Sequence, residues 1–428
     1  MKILIKNANI LTMKDENILY GYNVVIDEVI VYIGQNIPNN KYDKIIDATN
    51  MILMPGLINM HSHIAMSLFR GIGIGTDLNE WLNNNIWPLE KKLTDNDVYS
   101  ASQLSCLEMI SGGITCFNDM YMKANKIAEA VISSKLRACL AQNYFSEKNL
   151  EKDIEFYKQN ENLIKDYNNI DNRIKIFLGP HSIYTCSLEY LKFLKEQSKK
   201  YNTLIHIHVS ETEKEVQDCL LKYNMTPVEL LDSSGFLDEY TIAAHCIHLS
   251  SNDINILAKN KVNVVTNTSS NLILGSGICQ IDKLLNNNIN VCIGTDGPSS
   301  NNNLNMFEEL HLTAMVLKGI RKDPTILKAY EILKMATINA AKALKLDDKI
   351  GTIEINKEAD IILIDMNKPH LIPNNDIINN LIYSVQSSDV YLTMVKGNIL
   401  YENGIFTTLN KNKIYQEIDM IRHELLKK

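Results

Sequence analysis

Short apolar runs alternate with longer stretches of helical period over most of this chain, and that rhythm predicts its architecture. From residue 51 onward, β-like runs cover 51–59, 113–118, 137–144, 173–179, 203–209, 241–246, 262–267 and 290–294. Helix-like segments lie between them at 95–111, 123–133, 150–167, 188–200, 213–231 and 304–320. Strands that alternate with helices imply parallel βαβ units, and eight such units imply a closed barrel. Strand-like runs also fill residues 1–50 and return at 359–364, 390–396 and 398–401, after a helix at 325–346. The expected fold is therefore α/β: a (β/α)8 TIM-like barrel over 51–349, with a small β-sandwich domain built from both chain ends, 1–50 plus 350–428.

Composition narrows the function classes. The chain has 428 residues with 43 Lys+Arg against 50 Asp+Glu, a net charge of −7. Nucleic-acid and anionic-membrane binders need clustered basic residues, so no nucleic acid and no membrane are expected as partners. No window approaches the roughly 20 apolar residues of a membrane span, and the polar N-terminus reads as a strand rather than a signal peptide. The eight cysteines are scattered and form no C-x-x-C pair, which fits reduced structural thiols in a cytoplasmic protein. The Gly71-Ile72-Gly73-Ile74-Gly75 stretch does not open a helix after a strand. It reads as a flexible active-site loop, not a phosphate loop.

The histidines sharpen the picture. Of ten, seven fall at the carboxyl ends of expected barrel strands, where barrel enzymes place their chemistry: His61, His63, His181, His206, His208, His245 and His248. A lone histidine at a strand end is more often a hydrogen-bonded structural residue than a ligand; seven on one rim are harder to read that way. His61 and His63 alternate on an extended chain, so both imidazoles reach one side about 6.6 Å apart along the strand. His206 and His208 share a face in the same manner, and the sequence leaves open which of them is a ligand. Glu211 follows in the next loop, placed either to move protons or to sit at a helix N-terminus. Asp296, alone, reads as an Asp-Gly turn residue. At the mouth of strand eight it can instead complete a three-His, one-Asp site suited to Zn²⁺, with Fe²⁺ or Mn²⁺ as alternatives.

These features together resemble the amidohydrolase superfamily, over essentially the whole chain. The carriers are P-G-L-I-N-M-H-S-H (55–63), the loop from F-R-G (69–71) through E-W-L to W-P-L-E (80–90), G-P-H-S-I-Y-T-C-S (179–187), I-H-V-S-E-T (207–212), A-A-H-C-I-H-L (243–249), S-N-L-I-L-G-S-G (270–277) and G-T-D-G-P-S-S-N-N-N-L-N (294–305). Within the superfamily the chain is similar to adenosine-type deaminases acting on 5′-deoxyadenosine, 5′-methylthioadenosine and S-adenosylhomocysteine. The resemblance implies that His61, His63, His208 and Asp296 ligate one zinc per subunit. It makes Glu211 the proton shuttle, Asp296 the acceptor of a water proton, and His245 a partner of the attacking water or leaving amine. It places Glu90 on the ribose hydroxyls, His181 on the sugar edge and Trp81 in the pocket wall, with a small-molecule nucleoside as substrate and a homo-oligomeric assembly. No lysine stands at the mouth of strand four, since Lys175 lies too early, which favours a single metal.

One departure from the family pattern is informative. Some of these deaminases carry arginines after strand three that clamp a homocysteine carboxylate, whereas this segment reads Ala141-Gln142-Asn143-Tyr144. Uncharged 5′ groups are therefore expected to be preferred unless Lys148 or Lys152 substitutes. Thr266-Asn267-Thr268 also replaces the His-Asn-Pro common in relatives. Two rival readings remain: a deaminase or hydrolase of another ring, such as guanine or an s-triazine, and a non-catalytic barrel scaffold. The scaffold would be expected to lack metal ligands that are all present here.

Overall fold

The computed structural model describes residues 1–427. Eight parallel strands follow one another around a barrel: Leu57–Ser62, Ile114–Tyr121, Arg137–Tyr144, Ile174–Pro180, Ile205–Val209, Thr241–His245, Asn263–Thr266 and Val291–Ile293. Strand eight meets strand one through side chains as well as backbone. Asn59 donates to Thr295 Oγ1 at 2.8 Å, Thr295 N donates to Asn59 Oδ1 at 2.9 Å, and Asp296 N donates to His61 O at 2.9 Å. Gly294 is required at this seam, because a Cβ there would lie 2.5 Å from His61 N.

The strands are buried on both faces, as parallel sheets are. One set of side chains, including Leu57, Ile205, Ile207, Ala243, Val264 and Val291, packs outward against the helices. The alternate set fills the barrel: Ile58, Met60, Cys116, Cys139, Ala141, Phe177, Ile242, Val265 and Cys292 form a separate buried cluster. Above that plug the inward positions turn polar, and the site begins there.

The run 51–59 divides. Met51–Pro55 leaves the barrel and joins the second sheet, parallel to Ile3–Leu11 and antiparallel to Ile361–Asp365; only Leu57–Ser62 enters the barrel. The division falls at Gly56, where a Cβ would sit 2.1 Å from Thr115. The second sheet is mixed and nine-stranded, drawn from both chain ends. Its two faces serve different cores: Ile52, Met54, Ile362 and Ile364 join the barrel's outer core, while Leu53, Ile361 and Leu363 pack with Ile3 and Ile5. Not all of 350–428 belongs to this sheet, since the helix Lys411–Lys427 packs on the barrel helix Asp95–Ser111. No described helix is long and apolar enough to cross a membrane, and all eight cysteines are buried and unpaired.

Candidate active site

A slip in strand pairing aims the first histidines. In the ladder between strands one and two, Asn59 pairs with Phe117 but Ser62 pairs with Asp119, so one extra residue is accommodated on strand one. Such bulges re-aim side chains beside functional sites. Here the bulge turns His61, fully buried, toward the barrel axis, with His63 just beyond the strand end.

Simple alternation on strand five brings in two more imidazoles at different depths. His206 lies low, its Nε2 2.9 Å from His61 Nδ1 and its Nδ1 3.1 Å from Asn118 Nδ2. His208 sits one layer higher, its Nε2 3.4 Å from His63 Nε2. The sequence could not choose between them; the structure puts His208 at the open cavity and His206 beneath it. Strand eight supplies Asp296, held at φ +62°. Its Oδ1 lies 3.1 Å from His63 Nε2 and 3.4 Å from His61 Nε2, while Oδ2 accepts from Ser270 at 2.6 Å and Ser300 at 3.0 Å. The neighbouring imidazoles hold this carboxylate well below its usual pKa, against the opposing effect of burial.

The ring hydrogen bonds decide what these imidazoles can bind. His208 Nδ1 lies 2.7 Å from the His181 carbonyl and His63 Nδ1 lies 2.5 Å from the Met120 carbonyl. A carbonyl only accepts, so each ring carries a proton on Nδ1 and turns Nε2 inward. Asp296, 3.1 Å from His63 Nε2, outweighs burial and raises the His63 pKa to about 9, so a cation binding there displaces a proton. Metal-binding histidines are oriented in this way. His61 Nε2 is buried without any hydrogen-bond partner, and burial lowers the His61 pKa to about 4, leaving it neutral. Donor atoms of His61, His63 and Asp296 lie within 4.8 Å of one another, as do those of His61, His208 and His245. Imidazole nitrogens and one carboxylate, converging on an orphaned lone pair, fit a divalent cation.

Glu211 and His245 stand beside this cluster. His245 Nδ1 lies 2.8 Å from Asn271 Oδ1, which leaves its Nε2 facing the cavity, 3.8 Å from Glu211 Oε2. Glu211 is 4 % exposed, and burial raises its pKa. Its backbone N–H, with that of Ser210, donates to Glu215. The seventh rim histidine, His248, belongs elsewhere: its Nε2 lies 2.7 Å from the Ser276 carbonyl, outside the cavity wall.

The cavity is lined by His63, His181, His208, Glu211, His245 and Asp296 below and by Trp81, Leu82, Glu90, Tyr121, Asn143 and Tyr184 to the sides. Trp81 opens a π-helical turn, Trp81–Ile86, and stands against Gly73, whose φ is +77° and whose Cβ would come within 2.7 Å of the indole. Burial raises the pKa of Glu90, with the nearby Tyr121 hydroxyl partly offsetting it. Ring stacking on Phe145 at 4.7 Å and hydrogen bonding within reach of Thr185, at 2.9 Å, fix His181; burial drops its pKa to about 3. Tyr121, Asn143, Tyr184, Asn271 and the serines holding Asp296 were not singled out in the sequence. Tyr184, Ser270, Asn271 and Ser300 carried a signal only as members of the runs 179–187, 270–277 and 294–305.

The barrel, the polar layer above its plug and this donor set define a metal-dependent barrel hydrolase. The chain belongs to the Amidohydrolase family, whose profile matches residues 52–400. It is 44 % identical over 100 % of its length, and 99 % of the relative's, to a 5-methylthioadenosine/S-adenosylhomocysteine deaminase of Caldanaerobacter subterraneus subsp. tengcongensis. It is 42 % identical over 99 % of its length to a 5′-deoxyadenosine deaminase of Methanobrevibacter smithii, covering 98 % of that protein. Among solved structures it resembles an adenosine deaminase from Xanthomonas campestris with bound zinc, with TM-score 0.94, 27 % identity, and coverage of 100 % of this chain and 99 % of that one. The site is a divalent-metal site with histidine ligands.

Proposed function

We propose that this enzyme hydrolyses the exocyclic C6–N bond of adenosine-type nucleosides, releasing ammonia and the inosine analogue. One observation carries the reading. A single cavity joins inward-facing imidazoles and Asp296 to a buried carboxyl, Glu211, and to a side wall bearing Glu90 and His181. His61, His63, His208 and Asp296 would hold the cation, taken here as one zinc. When bound, it lowers the pKa of a coordinated water to about 7.

The chain's own residues do the rest. Glu211, whose pKa burial raises, gives a proton to purine N1, so that C6 becomes electrophilic. The water oxygen adds to C6 while Asp296, fixed by Ser270 and Ser300, takes up a water proton. His245 presents its Nε2 lone pair as an acceptor to the added hydroxyl or the departing amine. The C6–N bond then breaks: Asp296 returns the water proton to the amine, which leaves as ammonia, and the hydroxyl proton passes to Glu211 as the oxygen becomes the carbonyl. Glu90 takes the vicinal ribose hydroxyls, His181 the sugar edge, and Trp81 covers the pocket.

The wall also bears on the 5′ substituent. Neither Lys nor Arg is among the residues lining the cavity. Gln142 is spent on the backbone, Lys152 pairs with Glu147 at 3.4 Å on the surface, and Lys148 is exposed. A carboxylate on the 5′ arm finds no cation there, so neutral 5′ groups are preferred. Losing a charged hydrogen bond of roughly 1.5–3 kcal/mol disfavours S-adenosylhomocysteine by about ten- to a hundredfold. The test is metal analysis with a panel of nucleosides and free bases, followed by the absorbance change from adenine to hypoxanthine. Consumption of free guanine but of no nucleoside would overturn the assignment, and equal kcat/KM on S-adenosylhomocysteine would overturn the preference.

A further inference from the structure

Strand three ends in a polar side chain with nothing to bind. Asn143 points to the barrel interior, two residues on from Ala141 and four from Cys139, both of which fill the interior plug. It is 9 % exposed, and its Oδ1 is buried without a hydrogen-bond partner. Its neighbour Gln142 is fully engaged by comparison: Gln142 Oε1 accepts from Ala124 N at 3.1 Å and Nε2 donates to the Asn143 carbonyl at 3.3 Å. The backbone of residue 143 is thus tied down while its carboxamide is left free. Buried polar side chains are nearly always satisfied, so an unsatisfied one in a cavity wall marks a place where a ligand supplies the partner.

The chemistry of that partner follows from the amide and its neighbours. Strand three lies between strand two, which carries Tyr121 beside Glu90, and strand four, which leads to His181. A carboxamide both donates and accepts, as a hydroxyl does, and it carries no charge to offset a carboxylate. A riboside has three sugar hydroxyls. The proposed function commits the vicinal pair to Glu90, which leaves the 5′-hydroxyl for an amide on the adjoining wall.

We propose that Asn143 is a specificity-determining residue that hydrogen-bonds the 5′-hydroxyl of adenosine, and so sets how well the enzyme uses adenosine relative to 5′-deoxyadenosine. This rests on the nucleoside deaminase reading. Kinetics on adenosine and 5′-deoxyadenosine with the wild type, Asn143→Leu and Asn143→Ala test it, with thermal melting to confirm folding. One neutral hydrogen bond is worth about tenfold. Both variants are therefore expected to lose about tenfold in kcat/KM on adenosine, through KM, and less than threefold on 5′-deoxyadenosine. An equal loss on both substrates makes Asn143 merely structural and overturns the proposal, as does no loss on either. If the wild type deaminates 5′-deoxyadenosine but the variants keep its adenosine preference, Asn143 alone is misassigned. If the wild type deaminates no nucleoside, the underlying reading has failed and the proposal falls with it.

Discussion

Barrel strand three buries polar groups at both of its ends, and the two ends are built on opposite rules. At its amino end Arg137, 1 % exposed, engages all three nitrogens of its guanidinium. Nε and Nη2 donate to the two oxygens of Asp360 at 2.7 and 3.1 Å, Nη2 also donates to Glu358 at 2.5 Å, and Nη1 donates to the Asn172 carbonyl at 2.8 Å. These contacts fasten the barrel to the sheet formed by the chain ends. At the carboxyl end Asn143 has an unpartnered oxygen, and across the cavity like groups crowd together with His61 Nε2 orphaned among them. Both arrangements are costly to bury. The first is balanced within the fold and serves structure; the second is balanced only when something binds, and serves function.

The largest effects should come from breaking the unbalanced end. His61→Ala removes the orphaned nitrogen at the centre of the donor set. It is expected to lose bound metal and turnover together, read by metal analysis and by ammonia release. Glu211→Gln keeps the shape and leaves the donor set alone. It is expected to retain metal while turnover falls about 10²–10⁴-fold or more. A Glu211→Gln enzyme of near wild-type rate would remove Glu211 from proton transfer and leave Glu90 as the remaining carboxyl of raised pKa in the cavity.

How much of this contrast was legible in the sequence follows from its physics. The barrel was readable because buried parallel strands write continuous apolar runs, and the rim was readable because histidines recur at their ends. The division at Gly56 was not, since Met51–Pro55 and Leu57–Ser62 are equally apolar and only the backbone approach to Thr115 separates them. The depth difference between His206 and His208 was invisible because alternation gives a face, not a height along the axis. His248 looked like its neighbours and was counted with them. Its position depends on the left-handed backbone of His245 and Cys246, at φ +71° and +47°, which turns the chain away after strand six. Asn143 stood out in the sequence only as part of a segment that lacks arginine. A lone asparagine at a strand end is ordinary until its missing partner is seen.

The balanced end makes the next prediction. Arg137→Met removes one partner of a buried ion cluster and leaves Asp360 and Glu358 facing an apolar side chain. Breaking such a pair costs about 3–5 kcal/mol, to be read as a lower midpoint in chemical denaturation. Because the change lies at the far end of the barrel from the cavity, kcat/KM per folded molecule should be unchanged. A variant that lost activity but not stability would show that the two ends of the strand are coupled rather than separate.

Glu215 gives the finest test, because it lies by the mouth yet follows the rule of the seam. Its carboxyl accepts from Ser210 N at 3.0 Å and Glu211 N at 2.8 Å, so its hydrogen bonds are made. Burial nevertheless outweighs those bonds and pushes its pKa up to about 8 from 4.5. Between those values the folded state holds a proton that the unfolded state has released. Stability attributable to this group is therefore greatest at low pH and falls as pH rises toward 8, by at most about 1.4 kcal/mol per pH unit. Glu215→Gln removes the titration but keeps only one of the two acceptor oxygens, since its amide nitrogen must face a backbone N–H. In denaturation midpoint the variant is expected to start below wild type near pH 5 and to gain on it step by step to pH 8. Parallel curves across that range would mean that Glu215 stays ionised in the fold, and that two backbone amides suffice to hold a buried charge beside the cavity.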